Sequence, residues 1–195
     1  MAKSMRTAYA ETLIELGGIN DKVVVMDADL GHTTMSCLFQ EKYPDRHFNF
    51  GIAEANMVCG ATGFAKAGLI PFVSTMAMFG VGRAFEQIRN TVCYVNANVK
   101  FGLSHPGISV GADGGSHQTV EDISIMRCLP NMRILAPCDS IQMRKAVLAA
   151  AEMEGPVYIR VSRPDVENVT TEDMPFVPGK AQLLKNGSDV CIMAT

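Results

Sequence analysis

A chain of 195 residues suffices for one domain with a sizeable core, and 48% hydrophobic against 19% charged residues is the balance of a soluble globular protein. Seventeen Lys and Arg against 20 Asp and Glu leave a formal charge of −3, which makes no electrostatic case for nucleic acid or an anionic membrane as partner. No stretch approaches the roughly 20 apolar residues of a membrane span and the N-terminus lacks a signal-peptide core, so a cytoplasmic location is expected.

Arg6 to Leu16 carries apolar residues at helical intervals and runs into Gly17-Gly18, which predicts a helix that stops there. Val23 to Met26 is a continuous apolar run, the mark of a strand buried on both faces of a parallel sheet. Asp27 and Asp29 follow at its C-terminal end, where ligands bind in open parallel sheets. Either acid could equally cap the next helix, Thr34 to Glu41. A short aromatic strand at Phe48 to Phe50 then runs into Gly51, and a helix of small residues begins within a few positions, placing Glu54 in its first turn. Helical steps from Glu54 reach Val58, Ala61 and Ala65, so the carboxylate shares an apolar face and points into packed protein. Burial raises a carboxyl pKa while a helix N-terminus lowers it. A group held between those pulls suits proton sharing with a ligand; it also suits a structural Glu satisfied by backbone amides.

Gly68 can close that helix, and Leu69 to Thr75 reads as the next strand. A loop, "MAMFGVGR", leads into a helix over Ala84 to Val95; Phe79 in the loop could stack on a flat heterocycle or simply pack in the core. Val99 to Leu103 is a strand whose end delivers His105-Pro106-Gly107-Ile108-Ser109-Val110-Gly111-Ala112-Asp113-Gly114-Gly115-Ser116-His117-Gln118. Its glycines free the backbone to approach a ligand closely. No P-loop pattern is present. A metal site from His105, Asp113 and His117 stays open, although no helix would fix those ligands and no fourth is evident. A purely structural loop also stays open, although loops this long and polar after a buried strand are more often functional.

Glu121 to Leu129 reads as helix and Arg133 to Ala136 as strand, after which Asp139 or Ser140 can cap a helix over Ile141 to Met153. The strand Val157 to Val161 ends in Ser162-Arg163-Pro164, where the planar fork of Arg163 could grip a phosphate or make a surface ion pair. Thr170 to Gly179 is a linker by composition, and Ala181 to Leu184 and Asp189 to Met193 read as strands opening a further unit. The six cysteines form no C-x-x-C pair and read as structural thiols. Alternating buried strands and helices predict an α/β fold, a three-layer, doubly wound, mostly parallel sheet.

"FNFGIAEANM", residues 48–57, resembles the strand-turn-helix of the pyrimidine-binding domain of thiamine-diphosphate enzymes, the transketolase family in particular. The resemblance extends from about Arg6 to Asp165 and implies that Glu54 contacts the aminopyrimidine ring of the cofactor and that Asp29 lies near its thiazolium ring. Phe79 falls in the segment that places aromatics against the pyrimidine, although Met76 stands where an aromatic is expected. "HPGISVGADGGSHQ" is similar to the family's sugar-phosphate motif. There the resemblance gives His105 and the Arg163 of "SRP" to the substrate phosphate, Asp113 to a sugar hydroxyl, and His117 to the reacting carbonyl. Ala112-Asp113-Gly114 lacks the first glycine and the following Asn of the family's G-D-G metal and diphosphate motif. The resemblance therefore implies the C-terminal subunit of a split transketolase, cut down to its pyrimidine domain, in an enzyme that moves a two-carbon ketol unit between sugar phosphates. Thiamine diphosphate would be its cofactor, with Mg2+ or Ca2+ held by the domain of an N-terminal transketolase subunit, in a homo-oligomer or heterotetramer. Residues 1–168 would be the pyrimidine-binding domain, and 169–195 a linker and the start of a C-terminal domain. A deoxyxylulose-phosphate synthase, a 2-oxo-acid dehydrogenase beta subunit and a non-catalytic assembly module remain as alternatives, the sugar-phosphate motifs arguing against the dehydrogenase.

Overall fold

The computed structural model describes residues 3–195. A short ribbon of β1 (Lys3–Ser4) and β8 (Asp165–Val166), paired antiparallel, ties the two ends of the folded unit together. Between them, β2 (Val23–Asp27), β3 (His47–Asn49), β4 (Ile70–Met76), β5 (Lys100–Ser104), β6 (Arg133–Leu135) and β7 (Val157–Val161) form one sheet in the order β3-β2-β4-β5-β7-β6. Every neighbouring pair in it is parallel. The helices are α1 (Met5–Ile19), α2 (Gly31–Thr34), α3 (Cys37–Lys42), α4 (Glu54–Lys66), α5 (Phe85–Gln87), α6 (Asp122–Arg127) and α7 (Ser140–Glu152).

Strand alternation splits the core in two. In β2, Val24 and Met26 join a cluster with Met57, Val58 and Ala61 of α4, while Val23 and Val25 join one with Tyr9, Leu13 and Leu16 of α1 and Val147 of α7. β7 divides the same way, Tyr158 to the first face and Ile159 to the second. These opposite loyalties of successive residues are the period of two in a strand, and they make the fold the expected three-layer α/β arrangement.

Several local expectations give way to tertiary contacts. α1 does not stop at Gly17-Gly18 but continues to Ile19. Gly17 is there for packing, since a Cβ on it would sit 2.7 Å from Tyr43 Cε2 and 2.8 Å from Phe39 Cε2. The helix expected over Thr34 to Glu41 is broken at Met35, whose φ of 68° puts it in the left-handed region between α2 and α3. The helix expected from Ala84 begins earlier and is wound wide, with π-helical turns over Met78–Arg83 and Ile88–Cys93 on either side of α5. Asp139 does cap α7, accepting from Gln142 N at 2.8 Å.

The strands expected at Ala181 to Leu184 and Asp189 to Met193 are not formed, and those segments lie exposed as coil. With no neighbour to pair against, an extended segment gains no ladder bonds and buries no face. The expected linker from Thr170 is packed at its start: Asp139 also accepts from Val169 N and Thr170 N, and Lys145 Nζ donates to the carbonyls of Thr171, Glu172 and Met174. Among the described residues no helix is long and apolar enough to cross a membrane.

Candidate active site at the C-terminal edge of the sheet

The C-terminal ends of β2, β3, β4, β5 and β7 share one edge of the sheet, and the residues singled out in the sequence follow those ends. After β3, Gly51 takes φ 68°, a conformation that costs glycine nothing, and the chain turns into α4 with Glu54 as its first residue. Glu54 is only 1% exposed. Its Oε2 accepts a hydrogen bond from Arg83 Nη1 at 2.9 Å. The same guanidinium lies 4.5 Å from the centroid of the Phe79 ring, and that ring meets His117 in an edge-on contact with centroids 5.2 Å apart. Glu54, Arg83, Phe79 and His117 thus form one continuous run of contacts, from the start of α4 to the glycine-rich loop. The N–H donor and the cationic plane suit a buried carboxylate and an aromatic face respectively.

His105 follows β5 with φ 62°, left-handed and strained for a residue with a Cβ. Its amide donates to Val161 O at 3.1 Å and its Nδ1 lies 2.9 Å from Ser104 Oγ, so backbone and ring are each held by one bond. Burial, and then the positive charges of Arg6 and Arg163, push its pKa down to about 4. At neutral pH the imidazole is therefore uncharged and can act on a neighbouring group by hydrogen bonding alone. Asp113 and His117 also lie near enough to act on it electrostatically. Arg163 lies over the loop backbone, where a Cβ at Gly111 would collide with its Nη1.

Arg6, in the first turn of α1, completes this cationic corner. Its Nη1 donates to Thr33 O at 2.9 Å, and its buried Nε has no partner among the described residues. Burial and the neighbouring Arg163 lower its pKa, which Asp165 partly offsets. The loop is anchored below by a buried triad in which Asp122 Oδ2 accepts from Tyr158 OH at 2.7 Å and from Arg160 Nε at 2.8 Å. Gly107, with φ 77°, sits on Arg160, whose Nη2 would lie 3.0 Å from a Cβ there.

Of the two acids after β2, Asp27 is turned inward and Asp29 outward. Asp27 Oδ2 is 2.9 Å from His47 Nε2 without hydrogen-bond alignment, and Asp27 Oδ1 accepts weakly from Leu30 N at 3.3 Å. Asp29 takes φ 61° and donates its amide to Asn49 Oδ1, which also accepts from Gly51 N at 2.8 Å. One Asn side chain thereby couples the Asp29 turn to the turn that launches Glu54. Asp29 opens into a cleft of about 210 Å3 shared with His32, Thr33 and Asn49. Among the described residues no three His, Cys, Asp or Glu converge as metal ligands, so His105, Asp113 and His117 share a loop without forming a metal centre.

Sequence reasoning passed over Arg6 and Arg83. The signal for Arg83 is its offset of four from Phe79, which stacks the two side chains on a helical turn. Arg6 carries no local signal, because Arg163 and His105, the neighbours that make it part of this corner, lie some hundred residues or more away in the chain.

The family described as "Transketolase, pyrimidine binding domain" matches residues 1–168. The chain is 47% identical over 195 residues to a "Putative transketolase C-terminal section" from Methanocaldococcus jannaschii, covering 99% of this chain and 62% of that protein. It is 39% identical over 191 residues to a "6-deoxy-6-sulfo-D-fructose transketolase subunit SqwH" from Clostridium sp., covering 98% of this chain and 59% of the other. A structure titled "Split gene transketolase, inactive beta4 tetramer" superposes with a TM-score of 0.86 at 47% identity, covering 96% of this chain and 60% of that one. The chain thus spans about three fifths of the length of these relatives. With the strand-turn-helix at Glu54 and the glycine-rich loop both in place, the chain belongs to the transketolase family, as its pyrimidine-binding domain.

Proposed function

We propose that this chain is the pyrimidine-binding part of a thiamine-diphosphate-dependent transketolase that moves a two-carbon ketol unit between sugar phosphates in the cytoplasm. The observation that carries this reading is the pairing of a buried carboxylate with an aromatic face, Glu54 with Phe79, a pairing already met by the flat, N–H-donating guanidinium of Arg83. An aminopyrimidine is a flat heterocycle of similar donor chemistry, so these residues fit the cofactor. When bound, thiamine diphosphate supplies the electron sink for breaking and making the carbon–carbon bond.

The residues of this chain bind, orient and control protons. Glu54, at 1% exposure, is held away from water, so its carboxylate can keep or return a proton at the ring nitrogen facing it. Phe79 fixes the plane of the heterocycle, and Asp29 stands in the cleft at the neighbouring strand end. Arg6 and Arg163 offer two permanent positive charges to the substrate phosphate, and the uncharged His105 between them donates a hydrogen bond. Asp113 receives a sugar hydroxyl, and His117, edge-on to Phe79, stands at the reacting carbonyl.

The diphosphate and its Mg2+ or Ca2+ would be held by an N-terminal transketolase subunit, in a homo-oligomer or heterotetramer. Turnover of a ketose phosphate donor and an aldose phosphate acceptor by the chain alone, and then with its N-terminal subunit, tests this reading. The expected result is activity only in the mixture; full turnover and tight cofactor binding by the chain alone would overturn it.

A further inference from the structure

The two contacts proposed for the pyrimidine ring are already made by a side chain of the protein itself. Arg83 donates an N–H to Glu54 at 2.9 Å and lays its guanidinium 4.5 Å from the Phe79 centroid. A heterocycle cannot take that side of Phe79 and that oxygen of Glu54 while the guanidinium remains.

We propose that Arg83 is a built-in occupant of the pyrimidine site, filling it in the empty protein and swinging out to solvent when the cofactor enters. This deepens the reading above and rests on it. A buried carboxylate without a partner is costly, so an empty site needs something at Glu54. Arg83 meets that need, yet its own side chain is 51% exposed while that of Glu54 is 1% exposed. The carboxylate is therefore the fixed member of the pair and the guanidinium the mobile one. Its long side chain leaves from the end of the π-helical turn Met78–Arg83, so release requires side-chain rotation and no unfolding of the core. Binding then becomes an exchange in which one planar donor replaces another. The apparent affinity falls by the fraction of time the site is open, and the exchange excludes flat apolar rings, which could not replace the hydrogen bond to Glu54.

The test compares wild type, Arg83→Ala and Arg83→Lys. Calorimetry measures thiamine diphosphate with magnesium on the chain assembled with its N-terminal subunit. NMR titration measures the pyrimidine half alone, 4-amino-5-hydroxymethyl-2-methylpyrimidine, on the isolated chain. Arg83→Ala should bind both ligands about 5–20-fold more tightly and associate faster. Arg83→Lys, which keeps the charge but cannot lie flat on Phe79, should fall between. Unchanged or weaker binding in Arg83→Ala overturns the proposal. Turnover of Glu54→Gln in the same assembly reports separately on the site: its loss together with unaltered Arg83→Ala affinity sinks only the role of Arg83, whereas near-normal turnover sinks the site itself.

Discussion

Glu54→Gln keeps the shape of the buried side chain and removes its ability to carry a proton. In the assembled enzyme, kcat should drop by about 10²–10⁴ with the fold intact, read by steady-state kinetics and a thermal melt. Replacing Arg163 or His105 by Ala should instead raise KM for phosphorylated donors by the equivalent of roughly 1.5–3 kcal/mol, with a much smaller change for unphosphorylated hydroxypyruvate. Equal penalties for both donors would place these residues elsewhere. His105 also sets a pH dependence of stability. Its folded pKa of about 4 lies below the ordinary value, so between the two the unfolded chain binds the extra proton. Stability is complete above about pH 6.5 and falls as the pH drops toward 4. Denaturation midpoints at pH 5 and pH 7 should therefore differ less in His105→Asn than in the wild type. Glu54 could be read from its own helix, because Val58 and Ala61 mark the face it shares. Arg6 could not, since its position beside His105 and Arg163 exists only after α1 docks against the sheet.

Strands explain themselves better than helices in this chain. β2 is a short, mostly apolar run buried along its whole length, and β7 is apolar and buried at every position but Arg160, as that composition predicts. The ends of α1 and the break at Met35 depend on what packs against them, as Gly17 beneath Tyr43 illustrates. Gly102 is a stricter case. It sits mid-strand in β5, where a Cβ would collide with the Tyr9 ring, whose hydroxyl lies 2.9 Å from Ser74 Oγ. Gly102→Ala should lower stability by about 1–3 kcal/mol in urea titration, and Tyr9→Leu in the same background should recover part of it. Asp139→Ala tests the start of α7. Burial alone would raise that carboxyl's pKa, but hydrogen bonds from Gln142, Thr170 and Val169 outweigh it and the net shift is downward. Its contribution is present above the ordinary carboxylate pKa and is lost as pH falls below it. The variant should unfold about 1–3 kcal/mol more easily at neutral pH and free the 168–176 segment to proteolysis.

At the scale of the whole molecule, the edge that carries the site is also ringed by apolar side chains with nothing against them. Ile52, Ile108 and Val120 are 78%, 78% and 71% exposed, beside the Glu54 turn and along the glycine-rich loop. Three such residues around one polar site suit a covered surface better than a wetted one. Sedimentation should find the chain as a dimer or larger without the proposed N-terminal subunit, and Ile52→Asp should weaken that association while leaving the thermal midpoint within a few degrees. A monomer at micromolar concentration would count against this. Nothing in the sequence alone distinguished these three residues from core positions, because exposure is a property of the closed sheet edge and not of an Ile or a Val.

The strained backbone of His105 has a historical side. A Gly or Asn would hold φ 62° at less cost, by a margin of about 1–3 kcal/mol. Mutation supplies such replacements continually, and the phosphate-binding role proposed for the imidazole would oppose them. A gene copy relieved of its catalytic duty but still required to fold would keep Gly102, which packing demands, and surrender His105. The residue at this one position would then mark, in any descendant, whether the proposed phosphate-binding role is still in use.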